Sequence, residues 1–347
     1  MRPIPQSARV FVVGGYIPNG GTWMAYHLAR LLHLRHGLAV VVLSVAGETA
    51  DHGVFPYDPT FPALPLERLE QTITADDILI CNPSFSDRHF GLRLPGTKLC
   101  YVQDFRTFSL LDRFMDHYVS VGGFVHDFLL NTYGLPTAII PPFITVPAEL
   151  PRPDWQARPA GSVLISAKGD PDLLARLRAR LRARLCALDP RIDAAIDWSA
   201  PELPVNDKIS HAAFCRQLGT ARYLLSLTPA EGFGLLPLEA MAMGTVVLGF
   251  DGFGGRHYLR PGENALVRRY PDIDGVAQDL AAVLREPARA AGLRAAGAAT
   301  AACYDYDRFR RRWETWFDSK LALPAARDGA RAAAQPSQGA SVAGTSG

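Results

Sequence analysis

The chain has 347 residues, enough for two ordinary domains. Hydrophobic residues make up 48% and charged residues 20%, the balance of a soluble globular enzyme and not of a disordered chain. The net charge of +2 lacks the concentrated basic excess of a nucleic-acid binder. The first element is a short apolar run, VFVVGG, of the kind that forms a strand buried on both faces. It passes through the loop YIPNGG into TWMAYHLARLLHLRHG, apolar at helical spacing with a glycine stop, and then into a second buried strand, LAVVVLSV (38–45). Strand, glycine loop, helix and strand at this spacing describe a βαβ unit.

Residues 46–66, rich in Pro and Asp, read as a loop. DILICN (77–82) and KLCYVQD (98–104) predict further strands, VGGFVHDFLLNTYG (121–134) a strand end feeding a helix, and TAIIPPF (137–143) one more strand. Prolines crowd residues 141–159, which read as a linker. After it SVLISAKG (162–169) predicts strand and loop, with Asp170 as a helix cap and Pro171 in the first helical position. The helix DLLARLRARLRARLCAL places Leu173, Leu177, Leu181 and Leu185 on one face and arginines on the others. RIDAAIDW and ARYLLSL read as strands around a helix at DKISHAAFCRQLG. TVVLGF (245–250), ENALV (263–267), two Ala-rich helices to about 303 and the amphipathic DRFRRRWETWFDSKLAL (307–323) follow. The last of these has Trp313, Trp316 and Phe317 as anchors and Asp307 as its cap, and the tail after it has almost nothing to bury.

The five cysteines, Cys81, Cys100, Cys186, Cys215 and Cys303, are odd in number, scattered and without CxxC or Cys/His spacing. They read as reduced core or half-buried thiols. The N-terminus has too short an apolar run for a signal peptide, and no window approaches about 18 apolar residues, so a cytoplasmic protein with no transmembrane segment is expected. Only four lysines stand among the 36 cationic residues, so arginine runs reflect a compositional bias. The ladder Arg176, Arg178, Arg180, Arg182 and Arg184 is read as a solvated helix face and not as a lipid-binding one, which leaves peripheral membrane association unsupported. Asp-x-Asp pairs at 170–172, 272–274 and 305–307 are too cheap a match to predict a metal. VVGGYIPNGG is not GxGxxG, which disfavours a nicotinamide dehydrogenase.

The chemistry concentrates in TPAEGFGLLPLEAMAMGTVV (228–247), whose only ionisable side chains are Glu231 and Glu239. Glu231 lies in the loop after the strand ARYLLSL, and the next helix is expected to begin near Pro237. Gly232 and Gly234 let backbone amides approach a ligand, and a helix start favours an anion such as a diphosphate. The carboxylates suit ligand hydroxyls better than phosphates. The residues also admit a plainer account: Glu231 as a loop residue, and Glu239 as half of a capping box, incomplete because its cap would be Leu236.

EGFGLLPLEAMAMGTVV resembles the Glu-x7-Glu signature of retaining glycosyltransferases with the GT-B fold, especially the large family numbered four. YIPNGGTWMAYHLARLL, LLNTYGLPTAIIPPFI and GGRHYLRPGENALV are similar to other segments of that family, so the resemblance covers most of residues 9–320. It implies two Rossmann-like α/β domains with parallel sheets facing a central cleft: 1–145 on the acceptor side, a linker at 146–160, and 161–305 on the nucleotide-sugar side. A C-terminal helix (306–323) then crosses back to the first domain, before a disordered tail, 324–347.

By the same resemblance Glu231 contacts the donor sugar's hydroxyls and Glu239 the ribose hydroxyls. Phe233, Gly234 and Leu235 offer backbone N–H groups, Gly20 and Gly21 bring the other domain's backbone near the phosphates, and Lys168 neutralises the leaving diphosphate. The family's usual arginine before that lysine is absent, and its His-Asp pair is replaced by Gln103-Asp104, which become sugar or acceptor candidates; His117 and His126 fit that position poorly. The implied partners are a nucleotide-sugar donor and an unknown acceptor, with no cofactor, metal or nucleic acid. Two rivals stand beside this reading: a pseudo-glycosyltransferase or nucleotide-sugar epimerase, and a non-catalytic partner protein that retains the fold.

Overall fold

The computed structural model describes residues 2–17, 19–45, 47, 57–147, 149–151, 154–166, 171–196, 198 and 209–327. The predicted Asp170 cap, Lys168 and the tail beyond 327 lie outside them.

The chain opens with β1 (Arg9–Val13), α1 (Gly20–His36) and β2 (Ala39–Ser44). Asn19 caps α1 by accepting from the Thr22 N–H at 2.9 Å. β1 pairs in parallel with β2, as the βαβ pattern requires. Within the segment read as a loop lies a short strand, β3 (Ala63–Pro65), parallel to the end of β2. Its ALP triplet is too short for periodicity to reveal. Then come α2 (Leu69–Thr72), β4 (Ile78–Cys81), α3 (Phe90–Arg93), β5 (Thr97–Val102), β6 (His117–Ser120), α4 (Gly123–Tyr133) and β7 (Ala138–Ile139), the last shorter than TAIIPPF suggests because Pro141 and Pro142 cannot continue a ladder. These strands form one sheet in the order β3-β2-β1-β4-β5-β6-β7.

The second half begins with β8 (Val163–Ser166) and α5 (Pro171–Leu188). Leu174, Leu177, Leu181 and Leu185 are its buried stripe, so Leu174 heads it and Leu173 is only partly buried. The first five residues of RIDAAIDW, 191–195, are helical and not a strand. They belong to α6 (Pro190–Ala195), where Asp189 accepts from the Arg191 N–H and Pro190 takes a first-turn position that needs no N–H donor. There follow α7 (His211–Leu218), β9 (Tyr223–Ser226), α8 (Leu235–Ala242), β10 (Val246–Phe250), β11 (Leu266–Arg268), α9 (Ile273–Arg285), α10 (Arg289–Ala301) and α11 (Tyr306–Lys320). The four strands are parallel, in the order β11-β10-β9-β8. Alternate strand residues Val163 and Ile165, Tyr223 and Leu225, and Val246, Leu248 and Phe250 share one core with the leucine stripe of α5 and with Val276 and Leu280 of α9.

The arginine ladder of α5 does not simply face water. Arg184 makes two 2.8 Å bonds to Asp274, Arg180 stands 3.6 Å from the same carboxylate, and Arg182 stands 3.6 Å from Asp193. The helix C-terminal to Cys303 is capped by Asp305, whose Oδ1 accepts from the Arg308 N–H at 2.7 Å, and not by Asp307. Asp307 sits inside the first turn.

By compactness the chain divides into two units. The first takes in Met1–Cys100, Asp112–His117 and Arg310–Gly347; the second takes in Tyr101–Leu111 and Tyr118–Phe309. In the first unit Trp313, Phe317 and Trp316 of α11 are buried, the His117 ring meets Trp316 edge-on at 5.3 Å, and Arg35 pairs with Asp318 at 2.8 Å. The Asp77 carboxylate, buried there, is held below its usual range: burial pushes it up, but Arg9 and Thr74 hydrogen bonds outweigh that. In the second unit Trp155 and Arg158, from the proline-rich stretch, are both buried. All five cysteines are free; Cys81, Cys100 and Cys215 are buried as expected, whereas Cys186 and Cys303 are exposed. Among the described residues no helix is long and apolar enough to cross a membrane.

Candidate functional site

The site is built where β9 and β10 end. β9 delivers the chain to residues 227–234, and α8 begins at Leu235, two residues before the expected start at Pro237. Proline is tolerated there because the first-turn N–H groups have no intrahelical acceptor. The cap is therefore Gly234, not Leu236, and Glu239 is the fifth helical residue, which removes the capping-box account of that glutamate.

Gly234 adopts φ +87, a conformation natural to glycine, and a β-carbon there would stand 2.7 Å from Oε1 of Glu231. The Glu231 carboxylate thus lies over the start of α8, where unpaired N–H groups favour negative charge. Tyr258 donates its hydroxyl proton to the Gly234 carbonyl, which fixes the peptide that follows the cap. Burial first, then the nearby Glu231, Tyr304 and Glu239, raise that phenol well above its ordinary value, so it stays a donor.

Two loops are zipped together at this point. The Glu231 N–H donates to the Gly252 carbonyl at 2.8 Å, and the Gly254 N–H donates to the Glu231 carbonyl at 3.1 Å. Between them Phe253 has φ 64 and ψ −57, and the Gly254 N–H also reaches the Gly252 carbonyl at 2.8 Å. This is a γ-turn with a positive central φ, a rare and strained conformation for a side-chain-bearing residue. Its ring stacks under the Arg256 guanidinium at 4.5 Å, and Arg256 pairs with Asp251 at 2.7 Å.

Gly232 explains the place of Gln103 and Asp104. A β-carbon at 232 would lie 2.0 Å from the Gln103 carbonyl oxygen and 2.8 Å from the Asp104 α-carbon, so only glycine permits this approach. Gln103, Asp104, Glu231, Gly232 and Phe253 are in this way brought together within one unit. The Asp104 carboxylate is engaged locally, accepting from the Phe105 and Arg106 N–H groups at 2.7 and 3.2 Å. Phe233 turns its ring inward against His257, Tyr258 and Tyr304, and only its backbone is available to a ligand. Leu235 is the first residue of α8. Gly20 and Gly21 are the first two residues of α1, in the other unit. His117 starts β6 and His126 lies within α4, hydrogen-bonded to Thr137 at 3.0 Å, so neither joins this group.

One residue had no signal in the local sequence. His211, the first residue of α7, places Nε2 2.9 Å from Oε1 of Glu239. Burial disfavours the imidazolium, but bonds to the Cys215 sulfur and the Glu239 carboxylate outweigh it, and His211 is pushed up to about 10. It is a cation at neutral pH. Among the described residues no group of three or more His, Cys, Asp and Glu side chains is placed to hold a metal ion.

Residues 218–300, which span α8 and both loops, match the family model described as glycosyl transferases group 1. Most of the chain resembles solved structures of glycosyltransferases in fold, at low sequence identity. With sucrose-phosphate synthase from Thermosynechococcus elongatus the identity is 14% and the TM-score 0.63, over 90% of this chain and 98% of that one. With HepE from Anabaena, in complex with UDP and glucose, the values are 13% and 0.63, over 90% and 100%. With the lipopolysaccharide outer core galactosyltransferase WaaB, apo form, they are 12% and 0.64, over 90% and 100%. The fold is that of the GT-B glycosyltransferases. No curated protein matches the chain in sequence. In the GT-B frame the two glutamates sit at the carboxyl ends of parallel strands, where α/β sheets bind ligands.

Proposed function

We propose that the protein is a retaining glycosyltransferase that moves a sugar from a nucleotide-diphosphate sugar to an acceptor hydroxyl. The observation that supports it most is the pair of carboxylates at either end of one loop-and-helix start: Glu231 over the beginning of α8 and Glu239 one turn further on, with the Phe233–Leu235 backbone between them. A sugar nucleotide has hydroxyls at both ends and phosphates in the middle, and this order of acceptors and donors is complementary to it. HepE was solved with UDP and with UDP-glucose, which favours a uridine donor here.

In the proposed reaction Glu231 accepts from sugar hydroxyls and orients the anomeric carbon, Glu239 accepts from the ribose, and the backbone N–H groups at the start of α8 stabilise the charge growing on the diphosphate. The bond from the anomeric carbon to the diphosphate oxygen breaks while the acceptor oxygen bonds the same face. The acceptor's proton passes to an oxygen of the departing diphosphate. Lys168, by resemblance, adds a cation at the leaving group. Retention rests on the Glu-x7-Glu resemblance, and a cytoplasmic site is favoured by five free thiols, two of them exposed. No metal or cofactor enters this scheme.

The test is thermal stabilisation of wild type and Glu239→Ala by UDP-, GDP- and dTDP-sugars. A ligand at a hundred times its Kd adds roughly 2.7 kcal/mol to the folded state. A shift with one nucleotide class, much reduced in the variant, supports the donor site and names the base. No shift with any of them, in a protein that melts cooperatively, sinks the donor-site reading and favours a non-catalytic protein that retains the fold.

A further inference from the structure

Glu239 raises a problem that its own helix cannot solve. Its neighbours on α8 are Pro237, Leu238, Ala240 and Met241, all buried, and its side chain is only 11% exposed. A carboxylate so placed loses hydration and, without a partner, takes up a proton. The partner comes from another element, 28 residues back in the sequence. Ser210 caps α7 by accepting from the Ala213 N–H at 3.2 Å, and His211 follows as its first residue. The imidazole Nε2 donates to Oε1 of Glu239 at 2.9 Å, and the Cys215 sulfur, one turn along α7, lies 3.6 Å from the same nitrogen.

The bond engages one oxygen only. Among the described residues Oε2 of Glu239 has no hydrogen-bond partner. The carboxylate is therefore held at two points, by its stem on α8 and by Oε1 on α7, and the second oxygen keeps a fixed direction. A free glutamate loses rotamer entropy when a ligand orders it. Here that ordering is already done by the protein before a ligand arrives.

We infer that His211 is a positioning residue for the nucleotide: by holding Oε1 of Glu239 it aims Oε2 at the vicinal 2′,3′-hydroxyls of a ribonucleotide, and so sets the preference for ribo- over deoxyribonucleotides. The inference rests on the donor-site reading of Glu239. It differs from a merely structural ion pair in one measurable respect. A structural pair affects stability and is indifferent to which hydroxyls the ligand carries.

The experiment is isothermal titration of wild type, His211→Leu and His211→Gln with UDP and with 2′,3′-dideoxy-UDP, repeated with the guanosine pair, alongside thermal melts. Wild type is expected to bind the ribonucleotide about tenfold or more tightly than its dideoxy counterpart, the scale of a hydrogen bond to a charged group. His211→Leu is expected to bring that ratio to within about threefold by weakening ribonucleotide binding while dideoxy binding is unchanged. His211→Gln, whose amide N–H can still reach Oε1, is expected to restore part of the ratio.

A His211→Leu protein that melts lower yet keeps the wild-type ratio overturns the inference and makes the pair structural. So does a wild type that binds both nucleotides equally, which also removes the ribose role of Glu239 while nucleotide binding itself stands. A wild type that binds neither ribonucleotide overturns the donor-site reading itself. Should His211→Leu fail to fold, His211→Asn takes its place. Its amide is too short to reach Oε1, and an unchanged ratio in that variant overturns the inference equally.

Discussion

The carbonyl oxygen of Gln103 packs directly against the α-carbon of Gly232, so closely that a β-carbon at 232 would stand 2.0 Å away. Gln103 follows β5, and Gly232 follows Glu231 in the loop before α8. Their contact ties the segment after β5 to the loop before α8, and only a residue without a β-carbon permits it at 232. The two zipped loops, the positive φ of Gly234 and the turn at Phe253 belong to the same local design.

Gly234→Ala should be costly for two separable reasons. A β-carbon at φ +87 is strained by about 1–2 kcal/mol. It also displaces the Glu231 carboxylate, which would otherwise lie 2.7 Å from it. Urea unfolding should report the first loss, and the nucleotide-sugar thermal shift should vanish from the second. A variant that loses stability but keeps the full ligand shift would remove Glu231 from the site.

Phe253→Gly tests the strained turn. Relief of the positive φ gains roughly 1 kcal/mol or more. It is offset by loss of the ring contacts to Phe124 at 5.0 Å and Phe105 at 6.2 Å, and of the Arg256 stack. Stability should stay within about 1 kcal/mol of wild type. Amide exchange at residues 231 and 254 should nevertheless speed up, because the loops they zip are less constrained. Unchanged exchange there would show that the ring does not hold the turn.

The His211–Glu239 pair predicts a pH dependence of stability. The imidazole titrates at about 10 in the folded protein and near 6.5 when unfolded. A raised folded-state value means that the stabilisation is complete below pH 6.5, declines as pH rises, and is gone once pH exceeds about 10. The contribution is on the order of a few kcal/mol. Unfolding free energies measured from pH 6 to 10 should converge between wild type and His211→Leu as pH rises. Parallel curves would mean that the imidazole is neutral throughout.

Arg158 is a staple for the far end of α8. Its guanidinium donates to the carbonyls of Ala221 and Met243, both at 2.8 Å, and to the Thr245 hydroxyl at 3.0 Å, and the residue is buried. Arg158→Leu takes the guanidinium from the Met243 carbonyl and leaves the Ala221 carbonyl with only the Thr245 hydroxyl at 3.2 Å, which should cost about 3 kcal/mol. Since these contacts lie at the helix end away from Glu231, nucleotide affinity of the folded variant should be unchanged when measured below its melting temperature.

Much of the architecture was legible locally. Buried strands such as AVVVLS and YLLS, glycine stops and amphipathic helices write their periodicity into a few consecutive residues, and these set the α/β class and placed most elements to within a few positions. The motif from Glu231 to Glu239 was legible for the same reason, being one continuous loop and helix. Local pattern failed where the signal was short or ambiguous. RIDAAIDW alternates like a strand, yet Asp189 and Pro190 start a helix there, and Pro237 looked like a first residue when Gly234 was the cap.

What only the tertiary structure decided was which residues meet. His211 stands in a stretch with no motif, and nothing in its neighbours announces that α7 will bring it within 2.9 Å of Glu239. Gln103 and Gly232 are equally remote in sequence, and nothing in either neighbourhood announces their contact. A sequence fixes dihedral preferences and burial over a few residues at a time. The partner of a buried charge is fixed by the packing of whole elements, so the charge on Glu239 was readable from the chain and the reason it is tolerated was not.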